Sequence, residues 1–121
     1  MPPAASPLKA YPNASYVVVT AFTAAGPFHV RTQRAAVAMR SGGDFALLVV
    51  DRERGPAEAY IAYDAWENNH RVSIELLDQN FTDSLGSAAS TGPISASGNE
   101  APILFHRHGW FYLLFGPTCC F

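Results

Sequence analysis

Helical periodicity is nearly absent from this chain, and one strand pattern occurs twice in its place. Asp44 opens the apolar run Phe45-Ala46-Leu47-Leu48-Val49-Val50. A charged turn follows at Asp51-Arg52-Glu53-Arg54-Gly55, and Ala59-Tyr60-Ile61-Ala62-Tyr63 returns. Further on, Glu100 opens Ala101-Pro102-Ile103-Leu104-Phe105, His106-Arg107-His108-Gly109 turns, and Trp110-Phe111-Tyr112-Leu113-Leu114-Phe115 returns. Acid, apolar strand, turn, aromatic strand, used twice, reads as a β repeat unit with a carboxylate at one fixed structural position.

The remaining segments fit the same class. Val17-Val18-Val19 is β-branched and predicts a strand over about residues 15–21. Gly26-Pro27 breaks it. A weaker strand is expected over 34–39, where the alanines also suit a helix, and Ser41-Gly42-Gly43 is a turn leading to Asp44. The run 44–50 is almost continuously apolar and is expected to be buried on both faces. The segment 58–64 is expected half-buried, and 71–76 alternates as Arg71-Val72-Ser73-Ile74-Glu75-Leu76, which marks an exposed strand with one wet face. Such a gradient suits a propeller blade whose first strand lines the centre. The Ser-, Gly- and Ala-rich stretch 82–98 is a loop. It lengthens the spacing between the two acids beyond the roughly 40–50 residues of a common blade repeat. The expected fold is therefore all-β: a partial β-propeller of about two antiparallel blades, the second incomplete. Its parts are a leader over 1–14, the end of one blade over 15–43, a central blade over 44–78, a loop over 79–98 and the start of the next blade over 99–121. Successive blades would aim Asp44 and Glu100 at one central cavity.

Composition narrows the partners. Of 121 residues, eight are Lys or Arg and ten are Asp or Glu, with no basic stripe, so nucleic acid is not an expected partner. No apolar run approaches the roughly 20 residues of a membrane helix, so no membrane partner is expected. Met1-Pro2-Pro3-Ala4-Ala5-Ser6-Pro7 lacks the charged start and apolar centre of a signal peptide. The sites Asn13-Ala14-Ser15 and Asn80-Phe81-Thr82 matter only in a secreted parent, and localisation stays open. Cys119 and Cys120 are adjacent, which suggests either partners further along a longer chain or two buried thiols. The ending Phe115-Gly116-Pro117-Thr118-Cys119-Cys120-Phe121 suggests a fragment.

Gly26-Pro27-Phe28, Gly43-Asp44-Phe45 through Asp51, Ala59-Tyr60, Arg71 to Leu76, Glu100-Ala101-Pro102 and Gly109-Trp110-Phe111-Tyr112-Leu113 follow one another in an order that resembles glycoside hydrolase family 43. The resemblance covers roughly residues 15–116, an internal fragment of that family's domain. It implies a five-bladed β-propeller and hydrolysis of side chains in plant cell-wall arabinans, xylans or galactans, without a cofactor. It implies that Glu100 is the general acid and Asp44 the aspartate that orients it and tunes its pKa. The family's general base lies on an earlier blade, and no Asp or Glu precedes Asp44 here. The isolated chain is therefore expected to be inactive. The turn at Asp51-Arg52-Glu53-Arg54-Gly55 is also longer and more charged than the family's Asp-Asp-Gly.

The chemistry gives these acids a purpose. Glycosidic cleavage needs one carboxyl to protonate the leaving oxygen and a second to activate water or attack the sugar. A neighbouring carboxylate and partial burial both favour the protonated acid. Trp66, Trp110 and Phe45 are candidates to stack on sugar faces, beside the plainer reading that they pack a core. Asp51, Glu53 and Asp64 read as turn charges. His106-X-His108 has a spacing that could place two imidazoles on one strand face, but it flanks a turn without a third ligand, so no metal site is assigned. Two rival readings remain: a carbohydrate-binding module without catalysis, and a structural sheet domain such as a sandwich.

Overall fold

The computed structural model describes residues 16–35, 37–39 and 42–119. The expected leader over 1–14, the Asn13 site, Ser41, Cys120 and Phe121 lie outside them. The chain is all-β. Strands β1 (Tyr16–Thr20) and β2 (His29–Ala35) form a hairpin. Strands β3 (Gly42–Val50), β4 (Glu58–Ala65) and β5 (Arg71–Leu76) form an antiparallel meander in that spatial order. A second hairpin joins β6 (Asn99–Arg107) to β7 (Trp110–Pro117). Three small antiparallel sheets thus follow one another in sequence. The arrangement, one three-stranded sheet flanked in sequence by two-stranded sheets and no closed barrel, is consistent both with a propeller fragment and with part of a sandwich.

Register explains why the core sits at the three-stranded sheet. In β4, Ile61, Tyr63 and Ala65 face one side and join Val37 in the buried cluster, with Tyr16, Met39 and Leu77 packed against it. That face looks toward the β1–β2 side of the molecule. On the other side β6 packs along β3 and over β4, and the rings of Tyr60 and Phe111 meet edge to face at 5.2 Å. A strand covered on both faces and paired on both edges is the natural place for large apolar side chains, each contributing roughly 1.5–3 kcal/mol when fully buried. β4 is that strand.

Four expectations need correction. Gly42 and Gly43, expected in a turn, are the first residues of β3, and Gly42 pairs with Ala65. The second strand starts at His29 and ends at Ala35 instead of covering 34–39. Val30 pairs directly with Val19 once the chain has turned at Gly26-Pro27, which leaves Val37 to enter the core from beyond the strand. Next, β3 is not buried on both faces. It is the edge strand of its sheet, and Phe45, Leu47 and Val49 share one face, 51%, 58% and 54% exposed. Conversely, β5 is largely buried rather than wet: Val72, Ser73 and Glu75 have no exposed surface. Its outer edge is covered by the Ser/Gly-rich loop. Leu85 N–H donates to the Leu76 carbonyl, Thr91 N–H to that of Ile74 and Ile94 N–H to that of Val72, while Val72 N–H donates to Ser95 Oγ at 2.8 Å. The loop does the work of a fourth strand without strand periodicity, so the sequence gives no sign of it.

Glu75 closes the far side of this core. Its carboxylate accepts from the Tyr63 hydroxyl, the Ser84 hydroxyl and Ala38 N–H, the last at 2.8 Å. Burial first, and then the bond to Glu75, push the Tyr63 phenol above its ordinary value.

Candidate functional site

Strands β3 and β6 each carry a β-bulge at the end where their acid sits. In β3, Gly42 pairs with Ala65 and Phe45 with Tyr63, so one extra residue is inserted before the ladder resumes. In β6, Glu100 pairs with Gly116 and Ile103 with Leu114, with the same insertion. Bulges bend a strand and re-aim its side chains. The repeat seen in the sequence therefore has a structural basis, with one correction: the acids do not occupy equivalent positions. Asp44 lies inside its bulge, whereas Glu100 is the last paired residue before its own. Ala101, next in the β6 bulge, has φ 51°, a left-handed conformation that costs a non-glycine residue roughly 1–2 kcal/mol.

The two bulges share one open depression of about 430 Å³ lined by Gly43, Asp44, Phe45, Ala101, Pro102 and Ile103. Asp44 is exposed at its wall, whereas half-buried Glu100 directly precedes Ala101 in the chain but is not among the residues that line the depression. Trp66, 64% exposed in the turn after β4, belongs to the same end, because its Nε1 lies against Gly43. Phe45 lines the depression and also packs against Tyr16, ring centres 4.6 Å apart. Trp110 is placed elsewhere. It pairs with Arg107 at the opposite end of the β6–β7 hairpin, and a strand rise of about 3.4 Å per residue puts it over 20 Å from Glu100.

Two residues at this end were not singled out as functional from the sequence. Asp64, read there as a turn charge, is 1% exposed. Its Oδ2 lies 2.8 Å from His70 Nδ1, and its Oδ1 is buried without a hydrogen-bond partner among the described residues. Gly43 makes this possible, since a Cβ there would overlap both Asp64 Oδ1 and Trp66 Nε1. The Tyr16 hydroxyl donates to the Gly43 carbonyl at 3.2 Å. Tyr16 is held well above its ordinary pKa, first by burial and next by the charge of Asp64. Asn69 and His70 are both left-handed, φ 54° and 52°. Their carbonyls accept from Gly98 and Asn99 N–H at 2.8 Å each, which ties the turn to the start of β6 beside Glu100. The available sequence signal was Asn68-Asn69-His70 directly after a strand, since asparagine and histidine tolerate left-handed backbone better than most residues.

The two histidines of His106-X-His108 part company. His106 packs against Phe111 at 4.8 Å, while His108 is a left-handed turn residue. Among the described residues no three His, Cys, Asp or Glu side chains gather as metal ligands. Cys119 is exposed, which does not fit the buried-thiol reading for it. No family model, no curated protein and no solved structure matches this chain.

Proposed function

We propose that this chain carries part of the active site of a glycoside hydrolase of the family 43 type, acting on arabinan, xylan or galactan side chains. In this reading Glu100 protonates the leaving glycosidic oxygen, and Asp44 orients it and favours its protonated form. Phe45 and Trp66 offer ring faces to the sugar. The observation that supports the reading is the shared depression: two strands far apart in sequence and in different sheets bring their bulges together there, with Asp44 in its wall and Glu100 one residue ahead of the lining residue Ala101. Left-handed backbone at Ala101, directly beside Glu100, adds support, because such strain is concentrated at functional sites.

The sequence holds no counterpart of the family's general base ahead of Asp44. A test must therefore supply the nucleophile. Azide would attack the anomeric carbon of a sugar whose leaving oxygen takes its proton from Glu100, forming a C–N bond as the C–O bond breaks. The expected result is a glycosyl azide from arabinobiose, xylobiose or galactobiose, lost in Glu100→Gln while sugar binding is kept. Binding without any azide product in the unaltered chain favours the non-catalytic binding module. Absence of both binding and product removes the carbohydrate reading.

A further inference from the structure

Resting on the carbohydrate reading, we propose that His70, held by Asp64, forms with Trp66 a sugar-binding subsite beside the β3–β6 depression. In it, His70 Nε2 accepts a hydrogen bond from a sugar hydroxyl while the Trp66 ring packs on the sugar's apolar face. The ligand class is a pentose or hexose unit next to the one bound at Glu100.

Four observations converge on this cluster. Asp64 is a carboxylate in the protein interior, and burial of such a group is costly unless it has partners. Yet only Oδ2 is satisfied, and its partner is an imidazole. A carboxylate accepts and does not donate, so Nδ1 carries the hydrogen. In the neutral ring this leaves Nε2 with its lone pair, the arrangement a second-shell carboxylate produces when it fixes a histidine for use. Among the described residues nothing hydrogen-bonds Nε2, and the His70 side chain is only partly buried. The ring is delivered there by two successive left-handed residues, Asn69 and His70, whose reversal brings Nδ1 to the buried carboxylate.

Trp66 completes the site. Its ring centre is 5.8 Å from that of His70, the two planes tilted by 42°, and most of the indole is exposed. An aromatic platform beside a hydroxyl acceptor is the combination a sugar requires, because one face of the ring is apolar and its rim is hydroxylated. Gly43 touches both Trp66 and Asp64 and also lines the depression, so the subsite is continuous with the place where Asp44 and Ala101 meet. The backbone bond from Asn99 to the His70 carbonyl links it to the strand that carries Glu100.

The test is a titration of the chain, carrying isotope-labelled histidine, with arabinobiose, xylobiose and galactobiose in turn. The His70 ring nitrogens are followed by NMR and the heat of binding is measured in parallel. The expected result is that the Nε2 resonance of His70 moves with saturation by at least one disaccharide. His70→Asn, which keeps a donor for Asp64 and tolerates left-handed backbone but has no Nε2, should weaken binding about 5–10-fold. Trp66→Ala should weaken it by about tenfold. If His70→Asn does not fold, the resonance of the unaltered chain decides alone. A disaccharide that binds without moving the His70 resonance overturns the subsite and leaves the carbohydrate reading standing. No binding of any of the three overturns both.

Discussion

Asp64 Oδ2 and His70 Nδ1 lie 2.8 Å apart although the strand that carries Asp64 has ended before His70 is reached. A short 3-10 turn over Trp66–Asn68 and two left-handed residues fold the chain back, and His70 N–H closes the reversal on the Ala65 carbonyl at 3.0 Å. The same reversal delivers His70 to the buried carboxylate and presents its carbonyl to β6. Side-chain chemistry and inter-sheet packing are thus built from one turn.

That arrangement depends on the absence of a side chain at residue 43. In Gly43→Ala the new methyl overlaps the Trp66 indole and the Asp64 carboxylate, so one of them must move. Overpacking of this kind costs about 1–3 kcal/mol. We expect a lower urea midpoint and a changed tryptophan emission spectrum, the latter because Trp66 is displaced. An unchanged midpoint and spectrum would show that β3 does not approach the pair as closely as described.

Ala101 gives a prediction of opposite sign. A left-handed alanine costs about 1–2 kcal/mol, and glycine relieves that while adding roughly 0.5–1 kcal/mol of unfolded-state entropy. Ala101→Gly should therefore stabilise the chain by about 0.5–1 kcal/mol, read as a raised Tm. A fall in Tm would mean that the alanine methyl makes packing contacts worth more than the strain. The strain would then be a by-product of packing rather than a feature kept beside Glu100.

The Glu75 network should respond non-additively. Tyr63→Phe removes one donor and leaves the carboxylate with Ser84 and Ala38, at about 1–2 kcal/mol. Glu75→Ala removes the acceptor of three donors, of which the Tyr63 hydroxyl is fully buried, and creates a cavity, at about 3–5 kcal/mol. The double variant should cost less than the sum by about 1 kcal/mol, because the lost bond is counted once. Additive losses in a urea-denaturation cycle would show that the two groups are not coupled.

Much of the strand layout was legible because alternation and turn residues act locally. Gly55 and Gly109 mark hairpin turns, and the β-branched run at 17–19 marks β1. Burial was less legible, because it depends on which strand ends up central. The apolar run of β3 promised two buried faces, but β3 took the sheet edge, and the moderately apolar β4 took the middle. The polarity of Arg71 to Leu76 was misleading in the other direction: Ser73 and Glu75 are polar because they bond within the core, not because they face water. The acids at the starts of β3 and β6 could be found from order alone. The Asp64–His70 pair could not, since an aspartate at a strand end is ordinarily solvated and only the reversal at 69–70 brings the two together.

Asp78 carries the pH dependence that can be derived most directly. Its carboxylate accepts from Thr82 N–H at 2.8 Å, Thr82 Oγ1 at 3.2 Å and Asp83 N–H at 3.4 Å, closing the loop between β5 and the covering segment. The Thr82 backbone donor is the main cause that holds its pKa below the ordinary aspartate value of 3.8, opposed by partial burial. A group whose folded-state pKa is depressed stabilises the fold fully above its unfolded-state pKa and loses that contribution as pH falls through the folded-state value. The stability difference between the unaltered chain and Asp78→Ala, measured by urea unfolding, should therefore stay constant from neutral pH down to about pH 5 and shrink below about pH 4. Asp78→Asn keeps one carbonyl acceptor for the Thr82 N–H, so it should fall between the two at neutral pH and show a flatter acid response. A difference that persists undiminished into strong acid would mean that Asp78 acts through packing of the turn rather than through its charge.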